Sequence, residues 1–250
     1  YDRIVKFDNI TGTAVAQYAY QMEGSSQGRG TSALVAFNDH AFMVIERNNR
    51  GVGVDSELTT ANKNVFTLDL AGATDVTNID LDAPGAVFTA VSKNTTPFID
   101  LDANTLPALG NKSPEKWEGL TIGPKLNDGS YLLLAGTDND YSVSQNGSGT
   151  QFDIYYNPAT GARASCDLDT LSNCFAINAD GSITTTLITD TTGYALIPGV
   201  LHAYKVSAAD LGGYIAPVPE PETYAMLLVG LGLVGFVARR RQRVTDNKGV

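Results

Sequence analysis

The sequence predicts an all-β domain followed by one C-terminal transmembrane helix. Before Pro217, short runs of alternating polar and apolar residues are separated by turn-forming Gly, Asn and Asp, and no segment keeps a 3.6-residue period. Residues 224–238 then form a 15-residue run without charge, and three arginines at 239–241 follow it. The expected divisions are a β domain (1–211), a Pro/Glu linker (212–223), a transmembrane helix (224–238) and a basic cytoplasmic tail (239–250).

Turn sequences divide the β domain into strands. Asn38-Asp39-His40, Asn127-Asp128-Gly129 and Ala179-Asp180-Gly181 predict tight turns, the second one a hairpin turn in particular. The expected strands are 2–7, 13–20, 32–37, 41–46, 64–70, 87–93, 120–124, 130–136, 152–156, 182–188 and 203–206. Their grouping suits β-propeller blades of roughly 40–50 residues, and a jelly roll or sandwich would give similar spacing. On that blade length residues 1–217 supply about four or five blades, so we expect a truncated ring.

Composition limits the classes of partner. The formal net charge is −10, which argues against nucleic acid, because a phosphate backbone requires a basic surface. An acidic chain is compatible with divalent cations, which carboxylates bind. In an exported protein, two nearby cysteines such as Cys166 and Cys174 most often form a disulfide. They make a poor zinc site, because His40 and His202 are far away in sequence.

The tail has three parts in a fixed order. Pro219-Glu220-Pro221 resists regular structure, because each proline fixes φ and lacks an N–H. The apolar run follows it, and the arginines should stay cytoplasmic, which puts the domain outside. This tail resembles the PEP-CTERM sorting signal of exported bacterial proteins, and an ordinary single-pass anchor is the alternative. Since residues 1–7 show no initiator Met and no apolar signal-peptide core, we expect a fragment that lacks its signal peptide.

Three segments resemble the bacterial phytase-like family, also called esterase-like activity of phytase. They are Glu46-Arg47-Asn48 at the end of an apolar strand, Lys116-Trp117-Glu118-Gly119, and Asp138-Asn139-Asp140 one hairpin later. The resemblance covers roughly 1–211 and is strongest over 30–141. It implies a β-propeller-like fold and an activity on phosphate or other esters. Asparagine at position 48 is a departure, because the family commonly has aspartate there.

These segments supply the candidate site. Arginine's planar fork suits phosphate or carboxylate, and the hairpin should return Asp138 beside the lysine and glutamate of the second segment. Carboxylates with an amide oxygen suit calcium, which would neutralise phosphate charge and activate water. The expected catalytic residues are Glu46, Glu118 and Asp138, the substrate-binding residues Arg47, Arg50 and Lys116, and the calcium ligands Glu118, Asp138, Asn139 and Asp140.

A structural interpretation of the same residues stays open. A buried Glu–Arg pair often ties blades together, and an Asp-Asn-Asp sequence often caps a turn. Two functions follow: a metal-assisted phosphoester hydrolase, with carboxyl esters as another substrate class, or a non-catalytic cell-surface or extracellular-matrix binding protein. The expected partners are the membrane, an exosortase-type processing protease, and a small-molecule ester or extracellular polysaccharide. The expected location is the inner membrane facing the periplasm, or the cell surface or exterior after processing.

Overall fold

The regular structure of the described residues up to position 216 is β-strand, apart from two short 3-10 turns. The computed structural model describes residues 1–24, 30–53, 61–138, 150–216 and the four residues 226, 227, 229 and 231. The chain divides into two units, Tyr1–Tyr214 and Ile215–Val250. The described part of the first unit forms fifteen strands and two short 3-10 turns. The strands are β1 Asp2–Phe7, β2 Ala14–Tyr20, β3 Gly30–Ala36, β4 Ala41–Arg47, β5 Lys63–Asp69, β6 Ser92–Lys93, β7 Ile99–Asp100, β8 Trp117–Lys125, β9 Tyr131–Thr137, β10 Asp153–Tyr156, β11 Arg163–Cys166, β12 Phe175–Ile177, β13 Ile183–Leu187, β14 Ala195–Leu196 and β15 Leu201–Val206. The 3-10 turns are Leu101–Asn104 and Pro107–Leu109.

The strands pair into four antiparallel sheets. Two of them are meanders of neighbouring strands, with the orders β3-β4-β5-β6 and β13-β12-β11-β10-β14. In the first, β7 also pairs with β5. The third sheet has the order β15-β9-β8, and the fourth is the β1–β2 hairpin. The all-β prediction is therefore confirmed, whereas the described sheets do not close into a propeller ring.

The central strands β4 and β5 carry the core of the first meander. Tyr20, Val44, Phe66, Leu68 and Val91 form one buried apolar cluster. Alternate residues of a strand point to opposite faces, and this strand pair is buried on both, since Met43 and Ile45 are also fully buried. The ends of these two strands are therefore held in fixed positions, which matters for the charged residues located there.

The β8–β9 hairpin forms where its turn sequence predicts it. Gly129 has a φ of +89°, a left-handed conformation that glycine adopts without strain. The Asp128 carboxylate accepts the backbone N–H of Ser130 at 3.1 Å, which closes the turn. The far end of the hairpin pairs Trp117 with Thr137. This end carries the candidate site.

The second meander, β13-β12-β11-β10-β14, carries the two cysteines. The structure joins Cys166, at the end of β11, to Cys174 in a disulfide. Tyr155 and Ala164 pack against the disulfide in a small buried cluster. Beside it, the buried carboxylate of Asp153 accepts the backbone N–H of Asp169 at 2.6 Å. The crosslink thus closes an acidic surface loop over a small core.

Two sequence predictions need comment. The strand expected over 87–93 is wrong for most of its length, since only Ser92–Lys93 is a strand. Val91 N–H donates to the carbonyl of Ala19 at 2.9 Å, so the segment makes single backbone bonds instead of a ladder. In the tail, residues 226, 227, 229 and 231 are helical. Among the described residues no helix has the length and apolar character needed to span a bilayer. Most of 224–238 lies outside the described residues, and its membrane helix stays a prediction.

Candidate functional site

Glu46, near the end of β4, is completely buried. Its Oε1 accepts hydrogen bonds from the Tyr20 hydroxyl and from Lys93 Nζ, the latter at 2.9 Å. Its Oε2 accepts the backbone N–H of Glu23 at 2.9 Å. These donors come from β2, from β6 and from the chain just after β2. Glu46 therefore ties three segments together and does not reach solvent.

Lys93 completes this buried charged cluster. Its Nζ also contacts Glu23 Oε1 at 2.9 Å and lies 4.5 Å from the centre of the Phe66 ring. Burial raises the pKa of Tyr20, and the hydrogen bond to the Glu46 carboxylate raises it further. We call Tyr20, Glu46 and Lys93, together with Glu23 at their partly exposed edge, the buried cluster. Its groups satisfy one another, as buried charges must.

Arg47, the next residue, points the other way. Its Nη2 lies 2.5 Å from Oε1 of Glu118, and the two side chains are 17% and 38% exposed. Within the described part of the chain, Arg47 Nε is buried without a hydrogen-bond partner. Glu118 sits at an irregularity of β8, between Trp117 and Gly119, where the pairing register with β9 shifts. The guanidinium is therefore held by one nitrogen of its fork, at a partly open position.

The hairpin brings the third segment to the same place. The backbone N–H of Asp138 donates to the carbonyl of Lys116 at 2.8 Å. Lys116 is half-buried and Asp138 is exposed. We call Arg47, Lys116, Glu118 and Asp138 the rim cluster. Asn139 and Asp140, the other two expected calcium ligands, lie outside the described residues.

Arg50 lies in the turn that follows Arg47. Its backbone N–H donates to Asn48 Oδ1 at 3.3 Å, and its carbonyl accepts from Lys63 Nζ. Asn48 Oδ1 also accepts from Lys63 Nζ at 2.8 Å and from the backbone N–H of Asn62 at 3.1 Å. Sequence reasoning missed Lys63, because a lysine at a strand start gives no sign that it will be buried.

Two histidines also escaped the sequence prediction. The ring of His202 packs against Trp117 with the centroids 4.7 Å apart, and burial lowers the pKa of this histidine. Its Nδ1 lies 3.0 Å from the Tyr204 hydroxyl. His40 Nδ1 lies 2.8 Å from Asp69 Oδ1 at the end of β5, with both side chains about half exposed. Within the part of the chain that the structure describes, neither histidine is hydrogen-bonded to the rim cluster.

Of the four expected calcium ligands, Glu118 and Asp138 lie within the described residues. Within 1–24, 30–53, 61–138 and 150–216, no three His, Cys, Asp or Glu side chains are grouped so that they could hold a metal ion. Glu118 forms an ion pair with Arg47. Since Asn139 and Asp140 lie outside the described residues, the calcium site stays a prediction.

Comparison with protein families decides the identity of the domain. A family model described as "Esterase-like activity of phytase" matches residues 2–141, more than half of the chain. The chain belongs to this phytase-like family. The match contains every residue of the rim cluster and of the buried cluster, and it ends before the disulfide meander. The expected resemblance is thereby confirmed over a shorter stretch than 1–211.

The tail carries a second family match. The PEP-CTERM protein-sorting motif matches residues 217–241, which include Pro219, Glu220 and Pro221. The motif indicates export to the cell envelope or surface and processing by an exosortase. No curated protein and no solved structure matches the chain.

Proposed function

We propose that this phytase-like protein hydrolyses phosphate monoesters at the rim cluster. The observation that carries the proposal is the single-nitrogen contact between Arg47 and Glu118. An arginine fork normally binds a carboxylate or phosphate through two nitrogens. Arg47 is engaged through one, so a phosphate that displaces Glu118 gains a second donor. The family description, with its esterase-like activity, supports the same chemistry.

The remaining rim residues suit complementary tasks. Arg47 and Lys116 bind the phosphate oxygens and stabilise the charge that develops on them. Asp138, which is exposed at the end of the hairpin, accepts a proton from an attacking water. The water oxygen forms the new P–O bond, the ester P–O bond breaks, and the leaving oxygen takes its proton from solvent. Glu46 has no direct part in this scheme, because it is buried in a different cluster.

We propose separately that the protein binds calcium. Bound by Glu118, Asp138, Asn139 and Asp140, it would neutralise charge on the substrate phosphate. No step above depends on it. Activity that disappears with a chelator and returns with calcium would support the ion, and activity unchanged by chelation would rule it out.

The direct test is hydrolysis of p-nitrophenyl phosphate by the purified protein. We expect turnover in the wild type and a loss on the order of 10²-fold in Asp138→Asn, a size typical of lost general-base catalysis. Asp128→Asn is the matched control, because Asp128 is an exposed aspartate at the opposite end of the same hairpin. A wild type without turnover, or equal losses in the two variants, would contradict the proposal.

A non-catalytic binding protein is the second candidate. The observation that favours it is that Glu118 neutralises Arg47 while the described residues offer no metal group. Such a protein would bind a phosphate ester or an extracellular polysaccharide without converting it. Calorimetry that detects binding of intact ester, together with no turnover, would select this candidate.

We further propose that residues 224–238 hold the domain at the inner membrane, facing the periplasm, until an exosortase cuts near Pro219-Glu220-Pro221. The sorting-motif match over 217–241 supports this proposal. We also propose that the antiparallel meanders are blades of a propeller, since propellers repeat antiparallel four-stranded units and each meander contains four consecutively paired strands. Cell fractionation tests the anchor: Pro219→Ala with Pro221→Ala should leave the protein in the membrane fraction. Release equal to the wild type would argue against cleavage at this motif.

A further inference from the structure

The loop after β4 is joined directly to the segment before β8. The backbone N–H of Val52 donates to the carbonyl of Ser113 at 2.8 Å, and the N–H of Glu115 donates to the carbonyl of Val52 at 2.9 Å. Val52 and Pro114 form an isolated parallel bridge. The loop follows Arg47, and the segment leads into Lys116 and Glu118. Their junction therefore sets the distance between the two halves of the rim cluster.

A buried lysine holds the near end of this loop. Lys63, the first residue of β5, lies opposite Arg47 in the sheet and is completely buried. Its Nζ donates to Asn48 Oδ1 at 2.8 Å and to the carbonyl of Arg50. Burying an ammonium is costly unless it is hydrogen-bonded, so these contacts fix the loop to the strand.

A buried arginine holds the far end. Arg163 on β11 is 3% exposed, and its Nη1 donates to the carbonyl of Gly53 at 2.7 Å. Its Nη2 donates to the carbonyls of Asn178 at 2.6 Å and Ala179 at 3.2 Å. The guanidinium therefore ties the loop to the disulfide-containing meander, beyond the end of the family match at residue 141.

The loop itself has room only for glycine at its two closest approaches. Gly51 has a φ of +131°, and a Cβ there would lie 2.5 Å from the Ser113 carbonyl oxygen. A Cβ on Gly53 would lie 1.8 Å from Glu115 Oε2. A side chain at either position would push the loop away from the segment that carries Lys116 and Glu118.

We propose that Lys63 and Arg163 are positioning residues, which clamp the carbonyls of Arg50 and Gly53 and thereby fix Arg47 relative to Lys116 and Glu118. The inference rests on the proposed function, because the rim cluster is the site that the clamp serves. It adds two residues that touch no substrate, and it gives the disulfide meander a part in organising the site.

Hydrogen–deuterium exchange tests the clamp without reference to activity. In Lys63→Met and Arg163→Met, which keep unbranched side chains without charge, we expect faster exchange over 47–53 and 114–118. Exchange over 131–137 should stay as in the wild type. Unchanged exchange over 47–53 in both folded variants would overturn the clamp, whether or not the protein is an enzyme.

Activity then tests what the clamp is for. Gly51→Ala keeps both cations and shifts the loop, so hydrolysis of p-nitrophenyl phosphate should fall on the order of 10²-fold, as expected for a small misplacement of a binding group. Gly72→Ala is the matched control, because Gly72 also has a positive φ, +78°, but its Cβ would meet nothing within 4 Å. Both variants carry the cost of a positive φ, Gly51→Ala carries the collision with the Ser113 carbonyl in addition, and Gly72→Ala should keep its activity.

The conservative variant separates positioning from general structural support. We expect Arg163→Met to raise the KM. Arg163→Lys keeps one donor toward Gly53 and should reverse most of that rise. A purely structural role would lower the melting temperature of the variants and leave their KM unchanged, which would overturn the inference. If the wild type is inactive but exchange is faster in the Lys63 and Arg163 variants, the proposed function is wrong and the positioning role of the two residues is supported.

Discussion

Glu46 and Arg47 are neighbours on one strand, yet they belong to different regions of the molecule. Glu46 enters the buried cluster, where Tyr20, Lys93 and the backbone of Glu23 satisfy its carboxylate. Arg47 enters the rim cluster, where one carboxylate holds one of its nitrogens at a partly open position. The difference shows that two neighbouring charged residues on one strand enter different environments, one buried and one partly open, because successive side chains on a strand face opposite ways.

The largest expected effect comes from one substitution made in both regions. Glu46→Ala should cost about 3–5 kcal/mol of unfolding free energy, because it leaves Lys93 and Tyr20 buried without their acceptor. Glu118→Ala should cost only about 0–1 kcal/mol, since its ion pair with Arg47 is partly exposed. Urea denaturation followed by circular dichroism measures both values. Equal losses of unfolding free energy in the two variants would contradict the distinction between the two clusters.

The disulfide offers an intermediate effect outside both clusters. Cys166→Ser with Cys174→Ser should cost about 2–3 kcal/mol, the value expected for opening a short crosslinked loop. Thermal unfolding with and without reductant would show the same loss in the wild type. Rim activity at low temperature should remain, because the disulfide packs against Tyr155 and Ala164 and not against the rim cluster. A large loss of activity in folded protein would link the second meander to the site more tightly than Arg163 alone does.

Much of this division follows from sequence, and some of it does not. The alternation in β4 and the Asn127-Asp128-Gly129 turn specify their elements locally, so strand and hairpin were predictable. The failure over 87–93 has a tertiary cause: Val87 is 88% exposed, and none of the described strands pairs with it. The short β11, Arg163–Cys166, was missed because its buried residues include Arg and Ser.

The candidate site was predictable to a similar degree. Hairpin geometry places Asp138 beside Lys116 once the turn is known. Strand alternation separates Glu46 from Arg47, but it does not say which face is buried, since that depends on where β2 and β6 pack. Lys63 and Arg163 gave no local signal, because their roles arise from contacts 13 and 110 residues away.

The smallest effect concerns pH and the tyrosine of the buried cluster. The pKa of Tyr20 is raised by burial and by Glu46, so the folded state keeps its proton above the ordinary value of 10.0. Its contribution to stability is therefore complete below pH 10 and is lost as the pH rises above it. Tyr20→Phe should weaken this alkaline destabilisation, as measured by melting temperatures between pH 8 and pH 11. If the melting temperatures of the wild type and the variant fall in parallel with pH, Tyr20 does not cause the alkaline destabilisation.

The central claim is that the rim cluster, and not the buried cluster, performs the chemistry. Steady-state hydrolysis of p-nitrophenyl phosphate by the wild type, Arg47→Gln and Lys205→Gln tests it most directly. Lys205 is the matched control, because it forms an exposed ion pair with Asp128 at the other end of the same sheet. We predict that Arg47→Gln lowers kcat/KM on the order of 10²–10³-fold at unchanged melting temperature, while Lys205→Gln keeps the wild-type value. Equal rates in all three proteins, or no turnover in the wild type, would contradict the claim.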